Sequence, residues 1–180
     1  MDNAIGDALG GQREAAAAPP RYLEFILPVV IVGVDQATKA MVRAALSLHD
    51  TITVIPGFFN VTHALNSGAA FGFLDGTDFP YKTAIIAVIA TAALIGVGIY
   101  AASLSHHQLV ARIGLALIVG GAAGNLIDRV LTGSVVDFAD FYVRGWHFWA
   151  FNVADSAISI GVTMLILDML TTGPHVSKTV

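Results

Sequence analysis

The stretch Tyr81-Lys-Thr-Ala-Ile-Ile-Ala-Val-Ile-Ala-Thr-Ala-Ala-Leu-Ile-Gly-Val-Gly-Ile-Tyr-Ala-Ala-Ser103 decides the fold class, because beyond Lys82 it carries no charged residue. A helix needs about 20 mostly apolar residues to cross roughly 30 Å of hydrocarbon, and this segment is long enough. Working outward, windows at about 22–45, 109–131 and 152–171 meet the same test, which predicts an all-α membrane protein of four transmembrane helices. Composition agrees. Of the 180 residues, 56% are hydrophobic and 12% charged, where a soluble domain carries about a quarter charged. No repeat divides the chain, so 22–171 reads as one domain. It is flanked by an Ala- and Gly-rich tail over 1–21 and a short C-terminal tail over 172–180. The run from Tyr22 is longer than the apolar core of a cleavable signal peptide and carries Asp35 and Lys39 toward its far end, so it is expected to be retained.

Charge and composition exclude several classes. Nine Lys and Arg against thirteen Asp and Glu leave a net charge of −4, which offers no basic surface to nucleic acid. Cysteine is absent, which removes disulfides, thiolate metal sites and a cysteine nucleophile together. No His-Glu-x-x-His pattern, Cys/His cluster or Gly-x-Ser-x-Gly elbow is present, so metal-dependent and serine chemistries have no matching motif, and no metal or other cofactor is expected.

Lys and Arg next to the spans set orientation. Arg13 and Arg21 precede the first window, Arg112 with His106 and His107 borders the loop between the second and third, and Lys178 follows the fourth. By contrast, 46–80 holds no Lys or Arg and 132–150 holds only Arg144. Both termini are therefore expected in the cytoplasm and the two longer loops outside. In the first of these loops, Thr51-Ile-Thr-Val-Ile55 and Phe58-Phe-Asn-Val-Thr-His63 flank Pro56-Gly57, which is strand chemistry around a turn. Such a hairpin is marginal alone and should lean on the helix ends or the lipid interface. Trp146, His147, Phe148 and Trp149 suit an aromatic belt at headgroup depth.

Ionisable groups inside spans cost roughly 2.5–3.5 kcal/mol each at a helix centre, so each needs a reason. Asp35, Lys39, Asn125, Asp128, Arg129, Asn152 and Asp155 all fall toward the external ends of their windows, with Asn66 and Asp137 in the external loops. Asp35 and Lys39, spaced i, i+4, can form a structural ion pair. Asn125 and Arg129 share the same spacing within Gly120-Gly-Ala-Ala-Gly-Asn-Leu-Ile-Asp-Arg129, whose glycines favour close helix packing, with Asp128 and Arg129 as interfacial anchors. Arg129 could equally hold a substrate carbonyl or keep an acid ionised. Asn152-x-x-Asp155 is also the pattern of a helix N-cap. Asp137 alone is a loop aspartate with Asp140 as an equally placed neighbour. If the chain folds back between the third and fourth spans, Asp137 and Asp155 meet and share one proton. The ionised carboxylate then takes a proton from water while its partner donates to a scissile carbonyl.

Four stretches, in order, carry a family resemblance: Val34-Asp-Gln-Ala-Thr-Lys39, Asn66-Ser-Gly-Ala-Ala-Phe71, Gly124-Asn-Leu-Ile-Asp-Arg129 with Val135-Val-Asp-Phe138, and Phe151-Asn-Val-Ala-Asp-Ser156. The chain resembles the lipoprotein signal peptidases (signal peptidase II). The resemblance implies a four-helix aspartyl endopeptidase of the bacterial cytoplasmic (inner) membrane. Its substrates would be prolipoproteins cut just before a diacylglyceryl-modified cysteine, and its inhibitors would be of the globomycin type. It further implies Asp137 and Asp155 as the dyad at the periplasmic face, with Asn66, Asn125, Arg129 and Asn152 around it and the Asp35–Lys39 pair on the first helix. A small external β-platform with a mobile lid completes the implied fold. Gly68, with Ala69 and Ala70, reads either as room for the substrate chain or as a tight turn. A membrane-held substrate needs no extraction to reach an interface-depth site, so membrane lipids are expected partners, and a monomer is expected. The alternatives from other classes are a small proton-coupled transporter, for which intramembrane acids would serve, and a structural membrane subunit.

Overall fold

The computed structural model describes residues 22–68, 80–105 and 108–172. The expected tail over 1–21, all of the expected tail over 172–180 except Thr172, residues 69–79, and His106 and His107 lie outside the described residues.

Four helices form where hydropathy placed them: α1 (Tyr22–Ala45), α2 (Lys82–Ser103), α3 (Leu109–Thr132) and α4 (Val153–Thr172). All four are long and apolar enough to cross a membrane. α3 is the central helix and touches the other three. Glycines at its contact with α4 act by absence: a Cβ on Gly121 of α3 would lie 2.3 Å from the Ala154 carbonyl oxygen, and one on Gly161 of α4 would lie 2.4 Å from the Gly114 carbonyl oxygen. On the other side, a Cβ on Gly120 would come within 2.9 Å of the Pro28 Cα, so α1 and α3 close where Pro28 has no backbone N–H to shield. Among the described residues, none of those in α2 is buried, leaving its aliphatic faces to meet lipid.

The loops hold more order than the sequence predicts. The expected hairpin is present as β1 (Thr51–Ile55) and β2 (Phe59–Asn66), with Gly57 at φ 79° in its turn. The stretch expected as a second plain loop instead contains β3 (Val135–Val143) and the two-residue β4 (Trp146–His147). The four strands make an antiparallel sheet ordered β1-β2-β3-β4. The hairpin thus leans on a third strand, not merely on helix ends: β2 pairs with β3 from Asn66↔Val135 through Ala64↔Asp137 to Asn60↔Asp140. The missed signal is Val135-Val-Asp-Phe-Ala-Asp-Phe-Tyr-Val143, a β-branched and aromatic run beginning directly after Gly133-Ser134. Gly133 ends α3 in the left-handed conformation, φ 79°, with its N–H returning to the Arg129 carbonyl 3.1 Å away. That C-cap turns the chain from helix into strand. Val42 of α1 and Leu46, just beyond its end, pack on fully buried Val136, which fixes the sheet to the helix end.

The α3–α4 contact leaves no space for a methyl group at Gly121, whereas the position of Gly33 on α1 is open. Gly121→Ala is expected to lower stability by about 1–3 kcal/mol through overpacking, and Gly33→Ala to leave it equal or slightly higher. Thermal unfolding of both variants in detergent checks the contrast.

Candidate active site

The polar residues assemble at the end of the bundle that carries the sheet, and α1 supplies the foundation. Lys39 and Asp35 are fully buried and paired at 2.7 Å. The Lys39 ammonium also contacts Asp128 of α3 at 2.9 Å and donates to Asn125 Oδ1 at 2.9 Å. Asp128, expected as an interfacial anchor, is instead 2% exposed and takes a second cation, Arg43, at 3.0 Å. Its place is a correction with a physical reason: one ammonium shared by two carboxylates leaves excess negative charge, which Arg43 offsets. The Gln36 amide donates to Asp35 at 3.2 Å, to Asp128 at 3.3 Å and to the Gly124 carbonyl at 3.1 Å. Gln36 and Arg43 were not singled out in the sequence. The available signal was helical spacing, since Arg43 follows Lys39 by one turn as Lys39 follows Asp35.

α4 begins on this foundation. Asn152 caps it, accepting the Asp155 N–H on Oδ1 at 3.0 Å, while Asp155 Oδ2 accepts the Asn152 N–H at 3.3 Å in a reciprocal box. Asp35 Oδ1 accepts the Ala154 N–H at 3.0 Å, so an acid from α1 satisfies a third free donor of the helix start. The capping pattern read in the sequence is therefore real, and it coexists with a second set of contacts. Asn125 Nδ2 donates to Asp155 Oδ1 at 2.7 Å. Asn152 Nδ2 donates to Asp137 Oδ1 at 2.7 Å, and Asn66 Nδ2 donates to Asp137 Oδ2 at 3.1 Å. Asn152 is thus bonded to both aspartates and holds them at one place.

Burial, then the nearby Asp155 carboxylate, push the Asp137 carboxyl up to about 7, against the pull of the Asn66 and Asn152 hydrogen bonds. The strand separates it from Asp140. Three residues apart on β3, the two point to opposite faces, and Asp140 pairs instead with Asn60 Nδ2 at 2.9 Å and His147 Nδ1 at 2.9 Å. Spacing and composition did not rank these two acids, which only the family resemblance told apart, because the strand itself was not foreseen.

Two clefts meet at Asn66 and Asp155. One, of about 410 Å³, runs between α2, α3 and α4 and is apolar except at the end formed by Asn66, Asn125, Arg129 and Asp155. The other, of about 350 Å³, holds Asp137 and Asp155 and is walled by Trp149, Ala150 and Phe151. Asp35 and Lys39 line neither. Arg129 donates from Nη2 to the Gly68 carbonyl at 2.8 Å and from Nη1 to the Asn125 carbonyl at 3.2 Å. Its buried Nε has no acceptor among the described residues. Gly68 also donates its N–H to Asn66 Oδ1 at 2.9 Å, as a tight turn requires. Among the described residues no group of His, Asp and Glu is placed to hold a metal ion.

A family model described as Signal peptidase (SPase) II matches residues 27–171. The chain belongs to the signal peptidase II family. This peptidase is 44% identical to the lipoprotein signal peptidase of Geobacter metallireducens, covering 84% of this chain and 93% of that one. It is 43% identical to the lipoprotein signal peptidase of Solibacter usitatus, over 83% and 92% of the two chains. Its fold matches a bacterial membrane enzyme solved by the in meso method at 2.3 Å resolution, with TM-score 0.75 and 35% identity over 87% of this chain and 93% of that one. A second such structure, at 1.9 Å resolution, matches with TM-score 0.72 and 36% identity. The peptidase is a multi-pass membrane hydrolase, and the family assignment does not favour the transporter or structural-subunit readings.

The buried ammonium is the counter-ion of two acids, so its loss is the most damaging change near the site. Lys39→Met is expected to cost about 3–5 kcal/mol by leaving uncompensated buried charge, and Arg43→Met, whose side chain is 34% exposed, about 1 kcal/mol. Urea or thermal unfolding of the detergent-solubilised variants measures the difference.

Proposed function

We propose that this peptidase removes signal peptides from bacterial prolipoproteins by aspartyl chemistry, cutting just before a diacylglyceryl-modified cysteine. The observation that carries the reading is the joining of Asp137 and Asp155 through Asn152 at the meeting point of two apolar clefts. Lipoprotein signal peptidases at 43–44% identity over most of the chain support the substrate class.

In this mechanism the pair holds one proton up to near-neutral pH and titrates as a unit. The ionised carboxyl draws a proton from the attacking water, and the protonated one donates to the scissile carbonyl as it becomes tetrahedral. Asn66, Asn125 and Asn152 orient the two carboxyls so that their reactive edges face the cleft. The Arg129 guanidinium, at the polar end of the larger cleft, holds the Gly68 turn and donates to a main-chain carbonyl of the substrate. Asp35 and Lys39 act behind the site by fixing the start of α4. The signal peptide and the acyl chains occupy the apolar clefts without leaving the bilayer, and inhibitors of the globomycin type compete for the same space. The charge distribution beside the spans supports cytoplasmic termini and a site at the periplasmic face of the inner membrane, with the sheet as an external platform. A monomer suffices for this chemistry, since one chain supplies the proposed dyad and its supports.

Purified enzyme in detergent with a lipid-modified precursor tests the chemistry. Asp137→Asn and Asp155→Asn are each expected to lose at least about 100-fold in cleavage while remaining folded. Cleavage surviving in either variant removes the dyad. Since Asp137 gives up its proton only as pH rises through about 7, kcat/KM should fall across that range. A profile flat between about pH 5.5 and about pH 8.5 contradicts the shared proton.

A further inference from the structure

The face of β3 turned away from the dyad carries a second buried acid that the proposed chemistry does not use. Asp140 is 7% exposed, and both its oxygens are engaged: Asn60 Nδ2 reaches Oδ2 at 2.9 Å, and His147 Nδ1 reaches Oδ1 at 2.9 Å and Oδ2 at 3.0 Å. Asn60 is its direct partner across the β2–β3 ladder, and His147 is one of only two residues in β4. Mere stability is a poor account of the cluster. Asn60 is buried and its Oδ1 has no hydrogen-bond partner among the described residues, which costs about as much as a hydrogen bond supplies.

Geometry gives the cluster another use. A two-residue strand is shorter than strands that persist on ladder bonds alone. β4 nevertheless leads into Trp149, Ala150 and Phe151, the wall of the cleft that holds Asp137 and Asp155. Backbone bonds pin this return at Phe148, whose N–H donates to the Phe141 carbonyl at 2.8 Å, and at Phe151, whose N–H donates to the Ala139 carbonyl at 3.1 Å. Upstream of Phe148, the side-chain ties are the His147–Asp140 bond and the stacking of His147 on Tyr142, with ring centroids 5.1 Å apart.

We propose that Asp140 and His147 form a clasp that positions the Trp149–Phe151 wall against the scissile region of the substrate, so that both are positioning residues for binding and not for the chemical step. The inference rests on the peptidase reading, and its test separates the two. His147→Ala and Asp140→Ala should raise KM for the lipid-modified precursor about threefold or more, with kcat within about twofold of the parent. His147→Asn places an amide nitrogen where Nδ1 lies and should restore KM to within about twofold of the parent. A merely structural His147 would not give that KM-against-kcat split or that rescue.

A second readout needs no catalysis. With Trp146→Phe, Trp149 is the one tryptophan left of the two in the chain. Its emission maximum and acrylamide quenching should change in His147→Ala and Asp140→Ala and return in His147→Asn. Should Asp140→Ala fail to fold, the exposed His147 series decides alone. Unchanged KM and unchanged Trp149 emission in His147→Ala overturn the clasp, as does a fall in kcat at constant KM. If the parent enzyme cleaves no precursor while Trp149 still reports the clasp, it is the peptidase reading that fails.

Discussion

Everything at the polar end of this molecule depends on one buried ammonium. Lys39 contacts Asp35, Asp128 and Asn125 together, and each leads to a different part of the site. Through Asp35 it reaches the first turn of α4, through Asp128 it ties α1 to α3, and through Asn125 it reaches Asp155. Charges in such surroundings survive only when paired and fully hydrogen-bonded. The network therefore fixes the relative height and rotation of α1, α3 and α4 more tightly than apolar packing against lipid-like surroundings would.

That constraint explains why the glycines stand where they do. Gly124 faces Asp35 so closely that a Cβ would lie 2.6 Å from Oδ2, and Gly121 lets α4 approach within touching distance of the same turn of α3. Small residues and buried charge are two halves of one design: the first admits the neighbouring backbone, and the second selects where along the helix it stops. Asp155 inherits its position from both. It closes the capping box of α4 and is at the same time one half of the proposed dyad, so helix initiation and the proposed chemistry use the same carboxyl.

Legibility in the sequence followed the strength of each signal. The four helices were readable because hydropathy over about 20 residues is a long, redundant pattern, and α1 begins and ends where its window did. The Asp35–Lys39 pair was readable from helical spacing. β3 was missed because its strand pattern interrupts itself with two aspartates, and with it went the physical reason for separating Asp137 from Asp140, which the family resemblance drew by motif and strand alternation explains. Asp128 was misread because its partner Lys39 lies 89 positions earlier in the chain, a pairing that no local spacing can announce. The capping and dyad readings of Asn152 and Asp155 competed in the sequence, and in the structure the capping bonds coexist with the bonds from Asn125 to Asp155 and from Asn152 to Asp137.

The Asp35–Lys39 pair also bears on how such a chain is made. α1 emerges with its acid and base one turn apart, already neutralising each other, so it can enter a bilayer before α2, α3 and α4 exist. Asp128 belongs to a helix synthesised later and meets a counter-ion already waiting on α1. The order of residues along the chain is in this respect also the order in which the partners of this charge network are synthesised.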